Sequence, residues 1–460
     1  MKRAMSLLLV MLMLIACLVG CGNNTETQPD DSNSGVSSDS ESTGTSTTEE
    51  LEGEITFWHS FTQGGRLDTI QAAADAFMKE NPGVKITIET FSWPDFYTKW
   101  TTGLASGNVP DMSTGLPNHV VEMIDADAII PMDNLIDKIG RDRFYEAPIQ
   151  EMTVDGKCYA IPIYSHAQVM WYFTDILDKY DLEVPTTWDE LYDAAKTITD
   201  GENGAVYGCS VPMGTNDMMA TRYLNFYVRS AGDTLITEDG KANLTSQAAI
   251  DGINYWVKMY QDCSPADSIN YNVLDHATLY YTGKNAFDFN SGFQIGGVET
   301  NAPDLLDYVA CAPMPTINKD DPQRGYETSN IPMVIWKNSQ HPEICEAFIE
   351  FLYQPEYYIP FLQSVPVGML PALKDIAEDP AFLSDPMIEK FSDAMTVISD
   401  AVGTGTAIGM EYGPRPEAGL ITSQGVIEEM FQDIILKGTP VEQAAKAAED
   451  KLNDLFQTVG

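Results

Sequence analysis

The chain has 460 residues, 44% hydrophobic and 10% aromatic, which is enough for two or more lobes with sizeable cores. Lys and Arg number 26 against 68 Asp and Glu, a net charge of −42. That balance excludes binding through nucleic-acid phosphates or an anionic lipid surface, both of which need a basic footprint, and it argues against a polyanionic substrate.

The first predicted element is a leader. Lys2 and Arg3 precede an apolar run over 7–19 that is too short to span a membrane and ends in small residues, as a secretory signal peptide over 1–20 does. Leu18, Val19, Gly20 and Cys21 resemble the lipobox of bacterial lipoproteins, in which the peptide is cut before the cysteine and the thiol is acylated. Cys17 also fits, with a shorter apolar run, and a plain signal peptide with incidental cysteines is the alternative. Residues 22–53 hold no Lys, no Arg and no aromatic. They cannot bury enough surface to offset chain entropy, so 21–53 reads as a lipidated cysteine followed by a disordered acidic tether. The remaining cysteines (Cys158, Cys209, Cys263, Cys311 and Cys345) are odd in number and scattered, with no CxxC, and are expected as buried thiols.

The body opens with an alternating strand over 54–58. A helix follows over 67–80, stopped by Asn81, Pro82 and Gly83, then a strand over 84–90, a helix over 93–106 and a short strand after Asp111. This β-α-β-α-β run predicts a parallel sheet flanked by helices, with ligands at the strand ends. Thr187 reads as a helix cap with Glu190 as its capping-box partner. A strand over 308–312 and amphipathic helices over 342–352 and 441–455 complete the pattern. The five histidines have no metal-ligand spacing, and HExxH, GxSxG and Walker A are all missing. A glycosidase carboxylate pair is not excluded by counting acids, but nothing else supports one.

Several segments, taken in order, resemble one family. They are 55–59 with Trp58 and His59, 77–84 with Asn81-Pro82-Gly83, 104–111 ending at Asp111, 156–162 with Gly156 and Lys157, 185–191 with Trp188, 283–287, and 437–444. The resemblance is to the bacterial extracellular solute-binding proteins of family 1 that feed ABC sugar importers, to which the maltose-binding and glycerol-phosphate-binding proteins belong. It runs over 55–456. Two departures stand out: Phe173 replaces an expected asparagine, and Asn330, Ile331 and Pro332 replace a glycine-rich stretch. The resemblance implies an α/β, periplasmic-binding-protein-like type II fold: two α/β lobes joined by crossover hinges, with a ligand cleft between them. Lobe 1 would be 54–164 and 333–370, and lobe 2 would be 165–332 and 371–460. It implies no enzyme activity and no cofactor. The implied partners are a carbohydrate, permease subunits and an ATPase, and the expected state is a monomer held to the outer face of the cell membrane by its lipid alone.

A neutral sugar offers apolar ring faces and a rim of hydroxyls, which aromatic and polar side chains bind respectively. Such pairs recur at predicted strand ends. The expected contacts are His59, Phe61 and Gln63 after the first strand, Trp93 after the second and Asn118 after the third. Tyr164 and His166 are expected at the first crossover, with Trp171 just beyond. Asn290 and Phe293 stand where the family brings a stacking aromatic to the cleft. Tyr412 and Arg415 form a Pro-flanked late loop. The acidic body and the many aromatics favour a neutral di- or oligosaccharide. A secreted carbohydrate-active hydrolase, or a receptor for glycerol phosphate or a metal ion, are the rival readings. For a metal, Tyr280, Tyr281, Tyr357 and Tyr358 are conceivable ligands, although each pair reads as part of a helix.

Overall fold

The structure, a computed structural model, describes residues 50–62, 65–324 and 326–459. The leader, Cys21, the tether up to residue 49 and Gln63 lie outside the described residues.

The first strands build a parallel core. β1 (Gly53–His59) is followed by α1 (Arg66–Glu80), β2 (Val84–Thr90), α2 (Trp93–Ser106), β3 (Met112–Thr114) and α3 (Pro117–Asp125). β1 pairs in parallel with both β2 and β3. Local chemistry sets these limits. α1 buries Ile70, Ala73, Ala74 and Phe77 at helical spacing. α2 is capped by Ser92, whose hydroxyl accepts the Asp95 N–H at 3.4 Å, and it ends at Gly107 with φ +71°.

The chain then changes sheets. β4 (Ile161–Ala167) and β5 (Val169–Phe173) are separated by Gln168 alone. Next come α4 (Trp188–Glu202), β6 (Tyr207–Cys209), α5 (Met219–Ser230), α6 (Val273–Tyr281), β7 (Asn285–Asn290), α7 (Phe293–Asn301) and β8 (Val309–Ala312). β9 (Thr328–Ile335), α8 (Pro342–Leu352), β10 (Leu370–Pro371), α9 (Ser392–Thr404), α10 (Pro416–Ser423) and α11 (Val441–Phe456) follow. The large sheet has the order β10-β4-β9-β3-β1-β2 and the small one β8-β5-β7-β6. β4 and β9 are buried at every residue, because both faces of the large sheet are covered there. α9 packs on β4 and β9 of one sheet and on β5 and β8 of the other, so it straddles the two α/β lobes.

One local expectation is corrected. Thr187 does cap α4, accepting the Glu190 N–H at 3.3 Å, but the Glu190 carboxylate accepts from the N–H and hydroxyl of Thr186 at 3.0 and 2.9 Å. The reciprocal bond is displaced by one residue, where Thr186 offers two donors. The expected lobe limits at 164/165 and 332/333 fall inside β4 and β9, which pair with each other from Ile161 to Ala167 and from Thr328 to Met333. Their register shifts between Ile331 and Pro332, since proline has no N–H to give the ladder.

Candidate ligand-binding cleft

A cleft lies between the two sheets, with about 580 Å³ of atom-free space, part of it continuous with solvent. Trp93 and Leu116 line it from the first lobe. The hinge strands give Tyr164, His166, Gln168 and Ser329, with Ser329 directly across from His166. The second lobe gives Arg222 from α5, Val273, Leu274, Ala277 and Tyr281 from α6, and Asn290, Ser291 and Phe293 from the end of β7 and the start of α7. Trp93, Tyr281 and Phe293 are half-buried, so each keeps part of its ring toward the space. Gly297 makes room for Tyr281: a Cβ there would stand 2.0 Å from the tyrosine Cε1.

The polar groups are held from behind. Tyr164 Oη accepts from Arg66 Nη1 at 3.2 Å, and the buried Arg66 guanidinium lies 4.5 Å from the Phe293 ring centroid. Arg222 Nε donates to both carboxylate oxygens of Glu327, at 2.7 and 2.9 Å. Asn290 is braced by Trp171, whose indole N–H donates to its carbonyl at 2.9 Å. The His166 ring meets Phe293 edge-on at 6.3 Å. Burial, helped by the Arg222 and Arg66 charges, holds His166 neutral with its pKa pushed down to about 3. His166 Nδ1 and Gln168 Oε1 are buried without a hydrogen-bond partner in the protein.

Five of the residues expected from the sequence therefore meet at the cleft: Trp93, Tyr164, His166, Asn290 and Phe293. Gln168, Arg222, Tyr281 and Ser329 were missed. Two of these sit on helices whose inward face the sequence does not orient. Gln168 and Ser329 continue the alternation of the hinge strands, a signal that was available.

The other expected contacts lie elsewhere. His59 is fully buried, accepts the Phe61 N–H at 3.1 Å and stacks on the Phe61 ring at 4.8 Å. Burial and Arg66 hold its pKa near 3, and the pair closes the first lobe's core instead of facing the cleft. Trp171 supports Asn290 from the interior. Arg415 donates to the Thr237 carbonyl at 2.8 Å and lies 5.7 Å from the Tyr412 ring centroid, so the late loop is a strut of the second lobe, with Tyr412 half exposed. Of the tyrosines considered for a metal, Tyr280 and Tyr358 turn inward and donate to the carbonyls of Tyr172 and Ile163 at 3.2 and 2.5 Å, whereas Tyr281 lines the cleft. Among the described residues no group of three His, Cys, Asp or Glu stands together for a metal ion.

Asn118 is an interlobe contact. Its Nδ2 donates to Thr422 Oγ1 at 2.5 Å, bringing α3 of the first lobe onto α10 of the second. One turn on, Glu122 accepts from Ser423 Oγ at 3.1 Å, and Val121 packs with Ala407, Met410 and Ala418. Gly419 allows this approach, since a Cβ there would fall 2.2 Å from Glu122 Cγ. The lobes thus meet in a closed arrangement.

Two α/β lobes, hinge strands passing between their sheets and an aromatic–polar cleft at the hinge define a type II periplasmic-binding-protein-like molecule. Residues 63–359 match the bacterial extracellular solute-binding proteins, and the chain belongs to that family. It is a binding protein for solutes outside the cytoplasm and not an enzyme. A putative binding protein of Brucella abortus (strain 2308) is 25% identical over 321 residues, 69% of this chain and 75% of its own. The arabinooligosaccharide-binding protein of Halalkalibacterium halodurans is 23% identical over 436 residues, 89% of this chain and 91% of its own. A Thermotoga lettingae ABC-transporter solute-binding protein bound with α-D-tagatose superposes with a TM-score of 0.76 at 20% identity, over 88% of this chain and 99% of that one. Among the described residues no helix is long and apolar enough to cross a membrane.

Proposed function

We propose that this protein captures a carbohydrate between its lobes and delivers it to the permease subunits of an ABC importer, whose ATPase drives uptake. The observation that carries this reading is the cleft itself: three half-buried aromatic faces beside buried hydrogen-bonding atoms that the protein leaves unpartnered. Ring faces would stack on Trp93, Tyr281 and Phe293, while hydroxyls would satisfy His166, Gln168 and Asn290. The relatives' sugar ligands support the same class. The number of aromatic faces suits a di- or oligosaccharide, and the net charge, acting at long range, favours a neutral one.

Anchoring would come from Cys21 through lipid chains, with the acidic stretch ahead of β1 as the tether of a monomer that moves near its permease. Cys21→Ser should release the protein from the membrane fraction and abolish fatty-acid labelling; continued labelling would assign the lipid elsewhere. The function is tested by a thermal-shift scan against mono-, di- and oligosaccharides, glycerol phosphate and metal ions. One sugar class should raise the midpoint, because a ligand at a hundred times its Kd adds about 2.7 kcal/mol, and the sugar should be recovered intact. A response only to glycerol phosphate or metal, or cleavage of the sugar, would overturn the reading.

A further inference from the structure

Where the lobes meet, Val121 of the first packs with Ala407, Met410 and Ala418 of the second, and two first-lobe carboxyls flank this small apolar cluster. Glu122, next to Val121, accepts from Ser423 Oγ at 3.1 Å, and its Oε1 stands only 2.2 Å from where a Cβ on Gly419 would be. Glu151 ends the short helix Glu146–Glu151. Its Oε1 accepts the Ala407 N–H at 3.1 Å, and its Oε2 accepts from Asn330 Nδ2 of β9 at 2.6 Å. Asn330 in turn accepts from Ser165 Oγ of β4 at 2.6 Å, so this carboxyl ties both hinge strands to the second lobe. Both glutamates are half-buried, and among the described residues no cation offsets either charge.

The ionisable groups around them do not compensate. On α3, Asp125 adds a second negative charge near Glu122, while His119 stacks on Trp100 at 4.8 Å and is held neutral by burial. α10 carries one ionisable side chain, Glu417, whose Oε1 lies beside Gly240, and β9 carries none. Near Glu151, Glu146 accepts from Gln150, and Tyr164 and His166 of β4 line the cleft. Arg229 donates to Thr406 Oγ1 beside Ala407, but it is paired with Glu411 at 2.8 Å. From this arrangement we infer that closing the lobes takes up protons at Glu122 and Glu151, so that acid favours the closed, solute-holding arrangement and alkali the open one. This coupling does not depend on which solute fills the cleft. Opening takes Ser423 and Ala407 away and returns both carboxyls to water, where they titrate near 4.5. Closing removes that water, and burial pushes both up to about 7. Groups raised in the closed state favour closure fully below about pH 4.5 and lose that effect as pH rises through 7. A protonated carboxyl still accepts hydrogen bonds, so the interlobe bonds survive the uptake.

The test is small-angle scattering of the full-length protein, with no solute added, at about pH 5.5 and 8.5, on either side of the raised values. Circular dichroism at both shows that the lobes stay folded. The wild type should have the larger radius of gyration at the higher pH. Glu122→Gln, which can still accept from Ser423, should lose part of that change. Glu122→Gln combined with Glu151→Gln should lose all of it and stay compact at the higher pH. Should the double variant fail to fold, the single variant decides. A wild-type radius that does not change with pH, or the same change in the variants, overturns proton-coupled closure and leaves the carbohydrate reading standing.

Discussion

Phe293 shows what a single residue contributes and how far it could be read. The sequence marked it because the stretch from Phe289 to Phe293 resembles the one that brings a stacking aromatic to the cleft in the family. In the fold it starts α7, keeps part of its ring toward the cleft and covers the Arg66 guanidinium. Phe293→Ala should weaken sugar binding about tenfold or more, since aromatic contacts are worth about 0.5–1.5 kcal/mol beyond the area they bury. Titration of the variant checks this, and unchanged affinity would remove Phe293 from the site. His59 shows the opposite case. Its loop position suggested ligand contact, but its ring nitrogen takes the Phe61 N–H, and a bond two residues away leaves no periodic trace. Glu428 offers a residue-scale test of electrostatics. Its Oε1 accepts both the N–H and the hydroxyl of Thr221 at 2.9 Å, Oε2 is buried without a partner, and burial pushes the carboxyl up from 4.5 to about 7. A carboxyl raised in the folded state gives its full stabilisation below about pH 4.5 and loses it as pH rises through 7. Glu428→Gln keeps the two accepted bonds and removes the buried charge. It should therefore be more stable than the parent at pH 8, by about 2–3 kcal/mol, and show little difference at pH 4.5. Thermal midpoints at the two pH values check this; an equal effect at both would mean the gain is not electrostatic.

Among elements, α1, β2, α2 and α8 were legible almost to the residue, because each carries its own caps, stops and apolar spacing. What the sequence could not display was pairing between distant segments. α3 and α10 lie some 300 positions apart, and nothing local in either announces the other. Asn118 was read as a sugar contact for that reason, when it bonds Thr422 across the lobes. The ladder between the hinge strands β4 and β9, which pair through Ala167 and Thr328, is another such long-range pairing. The α3–α10 contact makes a direct prediction. Gly419→Ala places a methyl where Glu122 packs and should hold the lobes apart. Sugar affinity should fall by tenfold or more, while the circular dichroism of each lobe's secondary structure is kept. Small-angle scattering should show a larger radius of gyration for the variant with sugar present than for the wild type. Wild-type affinity and compactness would mean that this contact plays no part in closure.

For the whole molecule, the two sheets are tied by chain connections and by one helix packed on both, an arrangement suited to rotation about the hinge. Gln168 joins β4 to β5, residues 313–327 join β8 to β9, and α9 lies across both sheets. A ligand that touches both lobes and the hinge favours the closed arrangement by its extra contacts there, and can shift the equilibrium only by that difference. Trp93, on the first lobe, faces a second-lobe wall carrying Tyr281 and Phe293, so it reports on occupancy and closure together. Trp93 is the one tryptophan among the described cleft-lining residues. The most direct test is therefore an intrinsic-fluorescence titration of the protein and of its Trp93→Phe variant with the carbohydrate panel, neutral and acidic. Carbohydrate capture in this cleft predicts a saturable emission change with one sugar class in the wild type. The variant should still bind that sugar by calorimetry but lose the fluorescence change. An undiminished change in the variant would place the sugar elsewhere, and no response to any carbohydrate, by fluorescence or by heat, would contradict the carbohydrate assignment itself.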